Sequence, residues 1–392
     1  MRRRILLIGV VAAAALGTFV GFLPELRAVK ATGTTAFTDG SRYIFVPSRT
    51  RPEVTVVDGI AGAVAGTLRL GHVPAQIVVS DAAGRLVASD IGNNALSIVD
   101  LETGQLDRTL ELGMTPDRIV LSPDGYLVAA SDATSGSVVV VSLFNYRELA
   151  RIEGFSGRTG LSFNLGGSQL YVRDGAANHL AIVDLVQNKI IDQIGLAKTL
   201  PSSRTAHELD DSALTRSPDG RYGFVSSTSE GTVAVIDLGT GKLIKAIPVG
   251  KAPRRPYGTA DGRLMLVPNE GDGTISVVDT ALLQVVATLA GARDVLAINT
   301  GWFESVALVM SAGEDKIVLL DLMTFRNVGE IPLPGTPGPG VVTPDGKKLF
   351  VALDTGKLAT IDIRARKVDT VIAGLVSSPY GATMARTNNY CH

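Results

Sequence analysis

Arg118-Ile119-Val120-Leu121-Ser122-Pro123-Asp124-Gly125-Tyr126-Leu127-Val128-Ala129-Ala130 reads as two short apolar strands joined by a tight turn. Pro fixes φ at the second turn position and Gly accepts a positive φ at the fourth. A polar loop from Asp132 to Ser137 leads to a third strand, Val138 to Val141, and Glu148 to Ile152 closes a four-stranded unit. Related turns recur at Thr38-Asp39-Gly40, Ser217-Pro218-Asp219-Gly220, Ala260-Asp261-Gly262 and Thr343-Pro344-Asp345-Gly346, with looser versions at Ala83-Gly84 and Gly166-Gly167. The copy around Thr300-Gly301-Trp302 is the most degraded.

Outward from this unit, an apolar residue two before an Asp marks the end of each third strand. The marks are Asp58, Asp100, Asp184, Asp237, Asp279, Asp321 and Asp362, with Ser142 standing in once, and the steps between them are 42, 42, 42, 53, 42, 42 and 41 residues. A period of roughly 40–45 residues is that of a four-stranded propeller blade, whose faces are buried only against its neighbours in a ring. Eight marks predict an all-β, eight-bladed β-propeller of antiparallel four-stranded blades, with seven blades as the alternative count. The recurring Asp is read as structural rather than metal-binding, because a carboxylate at a strand end accepts hydrogen bonds from the amides of the turn that follows.

The chain ends also fit a ring. Tyr43 to Val46 and Val54 to Val57 look like second and third strands of a blade without a first. Pro379-Tyr380-Gly381-Ala382-Thr383-Met384 resembles the missing strand, and Gly33 to Phe37 is the other candidate. Closure through either segment removes the exposed sheet edges of an open ring.

Ahead of the ring, residues 1–31 carry Arg2, Arg3 and Arg4, then an uncharged apolar run from Ile5 to Leu23, then Pro24. This is the layout of a secretory leader, with Val29-Lys30-Ala31 as the cleavage site. A run of 19 residues also approaches the length that crosses a bilayer. The segment is therefore a signal peptide or an N-terminal membrane anchor, residues 33–392 are the propeller, and the protein is expected to be periplasmic or otherwise exported. Without residues 1–31 the chain keeps 32 basic and 37 acidic side chains, a net charge of −5 against −1 for the whole sequence. That balance argues against nucleic-acid binding. A single cysteine, Cys391, excludes an internal disulfide framework.

Strand alternation sorts the connections. Loops between blades share one face with the second-to-third-strand loops, and the Pro-Asp-Gly turns lie on the other. His72, His179 and His207 all fall to the first face. The 53-residue step places an 11-residue insertion before the fifth blade, and it contains Ser202-Ser203-Arg204-Thr205-Ala206-His207-Glu208-Leu209-Asp210-Asp211. Long polar loops on a rigid scaffold are where binding residues concentrate. Arg118 and Arg255 stand at matching places at the mouths of first strands, Arg254 is adjacent, and Arg158 and Arg293 lie a little upstream in their own inter-blade loops. These guanidinium groups form a candidate site for carboxylates or phosphates at one end of the axial funnel. Pairing with local acids such as Asp117 and Asp294 is the structural alternative, and Tyr257 and Tyr380 offer flat surface nearby.

The second-strand segments Phe45-Val46-Pro47-Ser48, Tyr171-Val172-Arg173-Asp174, Phe224-Val225-Ser226-Ser227 and Leu266-Val267-Pro268-Asn269, taken with the turns and strand ends above, resemble the YVTN family of bacterial β-propeller repeat proteins. The resemblance covers nearly all of the chain after the leader and is specific for fold rather than activity. Eight blades favour comparison with the haem-binding propeller of cytochrome cd-type nitrite reductases. That comparison implies a haem-type cofactor whose acid groups meet Arg118, Arg254 and Arg255, with His207 as the axial metal ligand. No Cys-x-x-Cys-His occurs, so the covalent haem domain of such enzymes is absent, and the tail Asn388-Asn389-Tyr390-Cys391-His392 holds half of that motif.

The leading expectation is an exported binding or accessory protein whose funnel accepts an anionic cofactor or small molecule. Two alternatives remain from other classes. One is a propeller enzyme, an oxidoreductase subunit or hydrolase, with His207 as base oriented by Asp210 or Asp211. The sequence has no nucleophile elbow, zinc-protease motif, phosphate loop or dinucleotide fingerprint, and an independent enzyme is the less favoured reading. The other is an envelope scaffold that binds a periplasmic protein partner.

Overall fold

The computed structural model describes residues 36–132, 134–156, 159–174, 177–196, 213–375 and 378–387. These residues form eight antiparallel sheets and no helix. Seven sheets have four strands in simple sequential order, and the first has three. The blade around Ser122-Pro123-Asp124-Gly125 is built from Arg118–Leu121, Leu127–Asp132, Ser137–Ser142 and Glu148–Ile152, so its sequence-predicted first and fourth strands are matched residue for residue.

What joins the blades is the two-residue alternation of strand side chains. In the second strand of blade 1, Tyr43 and Phe45 pack toward blade 2, against Ile77, Leu86 and Val99. Ile44 and Val46 point the other way, into a cluster with Val341, Phe350 and Leu358 of blade 8. Six further apolar clusters fill the remaining seams. Each blade thus has two apolar faces, as a ring requires, and its solvent-exposed fourth strand is the polar one: Gln105–Glu111 of blade 2 is exposed along almost its whole length.

The ring is closed by the C-terminal segment. Phe45 and Thr383 exchange both backbone hydrogen bonds (2.8 and 3.0 Å), Arg49 N donates to Ser378 O (2.9 Å), and Arg386 N donates to Gly40 O (2.9 Å). Phe37, by contrast, donates its amide to Leu101 O (2.7 Å) in a turn of blade 2 and buries its ring edge-on to Tyr43. The chain therefore enters the propeller beside blade 2, and the first blade borrows its innermost strand from the other end of the sequence.

The strand-end aspartates act as turn braces. Asp58 Oδ1 accepts the amides of Ile60 and Ala61 (2.9 and 3.0 Å), Asp184 Oδ1 those of Val186 and Gln187 (2.9 and 2.8 Å), and Asp321 Oδ1 those of Met323 and Thr324 (2.9 and 2.8 Å). Ser142 does the same for Phe144 at 3.2 Å. Among the described residues no group of three or more acidic, His or Cys side chains is placed to hold a metal ion.

Candidate functional site

The first strand of every blade faces the axis, running from the loop face, where an inter-blade connection delivers it, to the turn face, where it ends. Between these strands lies a cavity of about 700 Å³. It follows the whole of residues 76–81 in blade 2 and 118–125 in blade 3, and it reaches the closing C-terminal segment on the other side. A smaller recess of about 180 Å³ shares Gln76, Arg118 and Pro339 with it and is walled by Tyr380 and Asp117.

Val78, Val120, Leu121 and Tyr257 are the partly exposed apolar side chains along its walls, whereas Leu161, Phe163, Ile298 and Met384 border it with side chains almost fully buried in the blade seams. At the loop-face end Arg118 heads the first strand of blade 3, and Arg255 precedes the short strand Tyr257–Gly258 of blade 6. Arg255 Nε lies 3.4 Å from Thr215 Oγ1, whose hydroxyl donates to Pro256 O at 2.7 Å. Gln76 is held between blades: its side-chain oxygen accepts the Ile119 amide at 2.9 Å and its own amide donates to Ser89 Oγ at 2.8 Å.

At the turn-face end two further arginines line the cavity. Arg216, the last residue of a two-residue first strand, donates from Nη1 to Phe163 O of the neighbouring blade. Arg386 pairs with Asp81. Sequence reading placed cations only at the loop-face end. The signal for Arg216 was present, since it immediately precedes Ser217-Pro218-Asp219-Gly220 and so must stand at the inner edge of the turn face. Arg386 depends on the closing strand and had no local signal.

The other sequence candidates are distributed differently. Arg254 does not line the cavity: it is buried and pairs through Nε and Nη2 with Glu270, while its carbonyl accepts the Ser226 hydroxyl. Arg293 is exposed and lies 3.6 Å from Glu314 Oε1. Arg158 and the insertion carrying His207, Asp210 and Asp211 lie outside the described residues. His72 and His179 are both on the loop face and neither lines the cavity. Nδ1 of His72 is 2.8 Å from the Asn93 amide nitrogen and 3.3 Å from Asp90 Oδ2, and the His179 carbonyl accepts from Arg173 at 3.2 Å.

Burial perturbs Tyr380 and Arg173. Tyr380 is pushed above the usual phenol range, only partly offset by Arg49, and its hydroxyl donates to Pro74 O at 2.8 Å. Arg173, fully buried in the second strand of blade 4, is pulled down to about 10 because its guanidinium is removed from water, with Asp174 opposing the shift. Its Nη1 is spent on the carbonyls of Asp174 and His179, which makes it a brace rather than a ligand group.

Residues 54–387 match the family described as YNCE-like beta-propeller. The chain belongs to that family. Among solved structures, the YNCE-like propeller is similar to the dihydro-haem d1 dehydrogenase NirN in complex with DHE, at 18% identity and a TM-score of 0.73 over 88% of this chain and 76% of that one. It is similar to apo AztD from Citrobacter koseri, at 15% identity and a TM-score of 0.64 over 87% and 96% of the two chains. Hydrazine synthase of Kuenenia stuttgartiensis aligns at 19% identity and a TM-score of 0.55, covering 74% of this chain and 95% of that one. At such identities the likeness is one of fold. No curated protein matches the chain in sequence.

Proposed function

We propose that this YNCE-like propeller is an exported binding or accessory protein whose axial cavity takes up an anionic cofactor or small molecule with an apolar body. The observation that carries the reading is the cavity itself. Its volume of about 700 Å³ is within the roughly 300–1,000 Å³ range of ligand and cofactor sites, and apolar walls with a few convergent polar groups are what such sites use. Guanidinium groups stand at both ends, Arg118 and Arg255 at one, Arg216 and Arg386 at the other, in a protein whose net charge is negative with or without residues 1–31. Export rests on Arg2 to Arg4 followed by the apolar run Ile5 to Leu23.

A haem-type ligand fits part of this site. The arginines suit its acid groups, and the aromatic and aliphatic walls suit a flat macrocycle. Among the described residues no histidine or cysteine lines the cavity, so no described imidazole or thiolate supplies an axial ligand, and His207 remains the candidate from the insertion. When bound, such a group would bring redox or ligand-exchange chemistry at iron. The chain's own described contribution is to seat the macrocycle and neutralise its carboxylates.

The test is titration of the purified protein with haemin, followed by absorption and by quenching of intrinsic fluorescence. Saturable one-to-one uptake is expected, weakened about tenfold or more in Arg118→Gln and in Arg255→Gln, since a charge-assisted hydrogen bond contributes about 1.5–3 kcal/mol. His207→Ala separates an axial role, which alters the Soret band, from none. Uptake that is unsaturable, or indifferent to both arginines, overturns the cavity reading.

A further inference from the structure

The first strands of blades 2, 3 and 6 carry polar residues at the same place. Gln76, Arg118 and Arg255 each stand four residues before the residue that opens the inner turn, Ser80, Ser122 and Thr259 respectively, and all three line the cavity. Asp117 lines the side recess and not the cavity itself. Gln76 is the one of the three without a charge, and the fold fixes it from two sides. Its amide donates to Ser89 Oγ at 2.8 Å and its carbonyl accepts the Ser89 amide at 2.9 Å, which clamps its backbone to the second strand of blade 2.

The side-chain oxygen of Gln76 accepts the Ile119 amide at 2.9 Å across the seam to blade 3. A backbone N–H is met only by an acceptor, so this bond decides which end of the carboxamide is oxygen. The nitrogen end, with two N–H groups, is the other one. It donates to no described residue and is not sealed off, since Gln76 is half-buried and borders both the cavity and the recess. Ile119 follows Arg118 directly, so the same bond holds these donors and the start of the Arg118 strand in one frame. The cations at the two ends of the cavity also differ in what they already face. At the turn-face end Arg386 is paired with Asp81 and Arg216 donates to Phe163 O. At the loop-face end no described carboxylate pairs with Arg255, whose Nε lies a long 3.4 Å from Thr215 Oγ1.

Taking the cavity as the binding site put forward above, we propose that its loop-face end is where a ligand's acid group is read, and that Gln76 Nε2 is a ligand donor there. Gln76 orients an anionic oxygen in an end of the cavity that Arg118 and Arg255 make electropositive. A carboxamide held by its oxygen offers hydrogen bonds in a fixed direction, and a site built to hydrogen-bond a ligand group discriminates against analogues that cannot complete the bond. The rest of the ligand then extends toward the turn face, where Asp81 and Phe163 O already engage the arginines.

Gln76→Glu is the variant to make, because a Glu carboxylate still accepts the Ile119 amide while its second oxygen replaces the two donors with a negative acceptor. Uptake of haemin is compared with uptake of haemin dimethyl ester, which keeps the macrocycle and lacks the acid charges, in the parent, Gln76→Glu and Arg255→Gln. The parent is expected to prefer the acid about tenfold or more, and Gln76→Glu to weaken haemin by about tenfold and the ester by clearly less, since only the acid meets a like charge. Its melting temperature should match the parent's. Haemin uptake unchanged in Gln76→Glu but weakened in Arg255→Gln overturns the role of Gln76 and leaves the cavity reading standing. Equal weakening of acid and ester makes Gln76 a brace between blades and overturns it likewise. A parent that takes acid and ester alike overturns the acid-reading end whether or not the variant folds. Uptake that is unsaturable and indifferent to Arg255 removes the cavity reading and this assignment together.

Discussion

The two faces of the propeller are made by different means. The turn face is written locally and eight times over: a strand-end Asp or Ser braces one turn, and Ser217–Asp219 (2.6 Å) or Thr343–Asp345 (2.6 Å) hydrogen bonds brace the other. The loop face has local braces too, as where Asp90 accepts the Asn93 amide, but adds contacts between distant residues, such as Arg254 with Glu270 and Gln76 with Ile119. Local bracing makes the turns regular, and long-range pairs at that face, such as Arg386 with Asp81 and Arg216 with Phe163 O, are added to turns that are already braced. Distant bracing makes a face irregular, and it is there that the sequence varies enough to carry a site.

The sharpest way to break this contrast is a methyl group on each face. Gly136, at φ 65° in a loop-face connection, would place a Cβ 1.8 Å from Phe155 O, whereas Gly62, at φ 64° in a turn-face turn, has open space around it. Gly136→Ala is expected to cost about 3 kcal/mol or more, from clash and left-handed strain together, and Gly62→Ala only about 1 kcal/mol from strain. Denaturant unfolding of both variants measures the difference, and equal losses would mean that Phe155 yields to the added methyl group at Gly136.

Ion pairs come next. Arg254→Met leaves Glu270 without its buried guanidinium partner and is expected to cost about 3 kcal/mol, partly recovered by adding Glu270→Gln. Arg386→Met removes an exposed partner of Asp81 and should change the unfolding midpoint little. Should the two variants unfold alike, the closing strand depends on its salt bridge more than its backbone hydrogen bonds suggest.

Ligand binding separates the faces from stability altogether. Arg118→Gln at the loop-face end should weaken uptake of an anionic probe such as haemin by about tenfold while leaving the melting temperature unchanged. A matching loss of stability would make Arg118 a brace.

The smallest effect per residue is the pH dependence of the turn braces. Asp58 is held below the usual carboxylate range chiefly by the Arg42 guanidinium, and Asp184, Asp237 and Asp321 chiefly by the amides of Gln187, Thr240 and Thr324. A carboxyl whose pKa is lowered on folding stabilises the fold above its unfolded value of about 4, and loses that contribution as pH falls through the folded value. The melting temperature should therefore be nearly flat from about pH 7 to 5 and drop below about pH 4. Persistence of the pH 7 value down to pH 3 would show that these turns stand without their carboxylates.

Much of the fold was legible because a repeat states its own geometry. The Asp marks fixed eight blades, and the Pro-Asp-Gly turns fixed which end of each first strand lies where. The site was only partly legible. Arg118, Arg254, Arg255 and Arg293 look alike in sequence as basic residues near strand mouths, yet one is turned into a buried pair with Glu270 and another lies in solvent near Glu314. Which way a long side chain points depends on acids contributed by other loops, and no spacing in the sequence records that.

By itself the sequence determined the strand count, the two-sided apolar pattern of each blade and the face on which each connection falls, because these follow from alternation and turn chemistry within about forty residues. Only the tertiary structure decided that Arg386, from the far end of the chain, stands with Arg216 at the second end of the cavity, and that the C-terminal segment rather than Gly33 to Phe37 pairs with Phe45 to complete the first blade. Both depend on closing the ring, an event that brings residues more than 300 positions apart, Asp81 and Arg386 among them, into contact that no local pattern encodes.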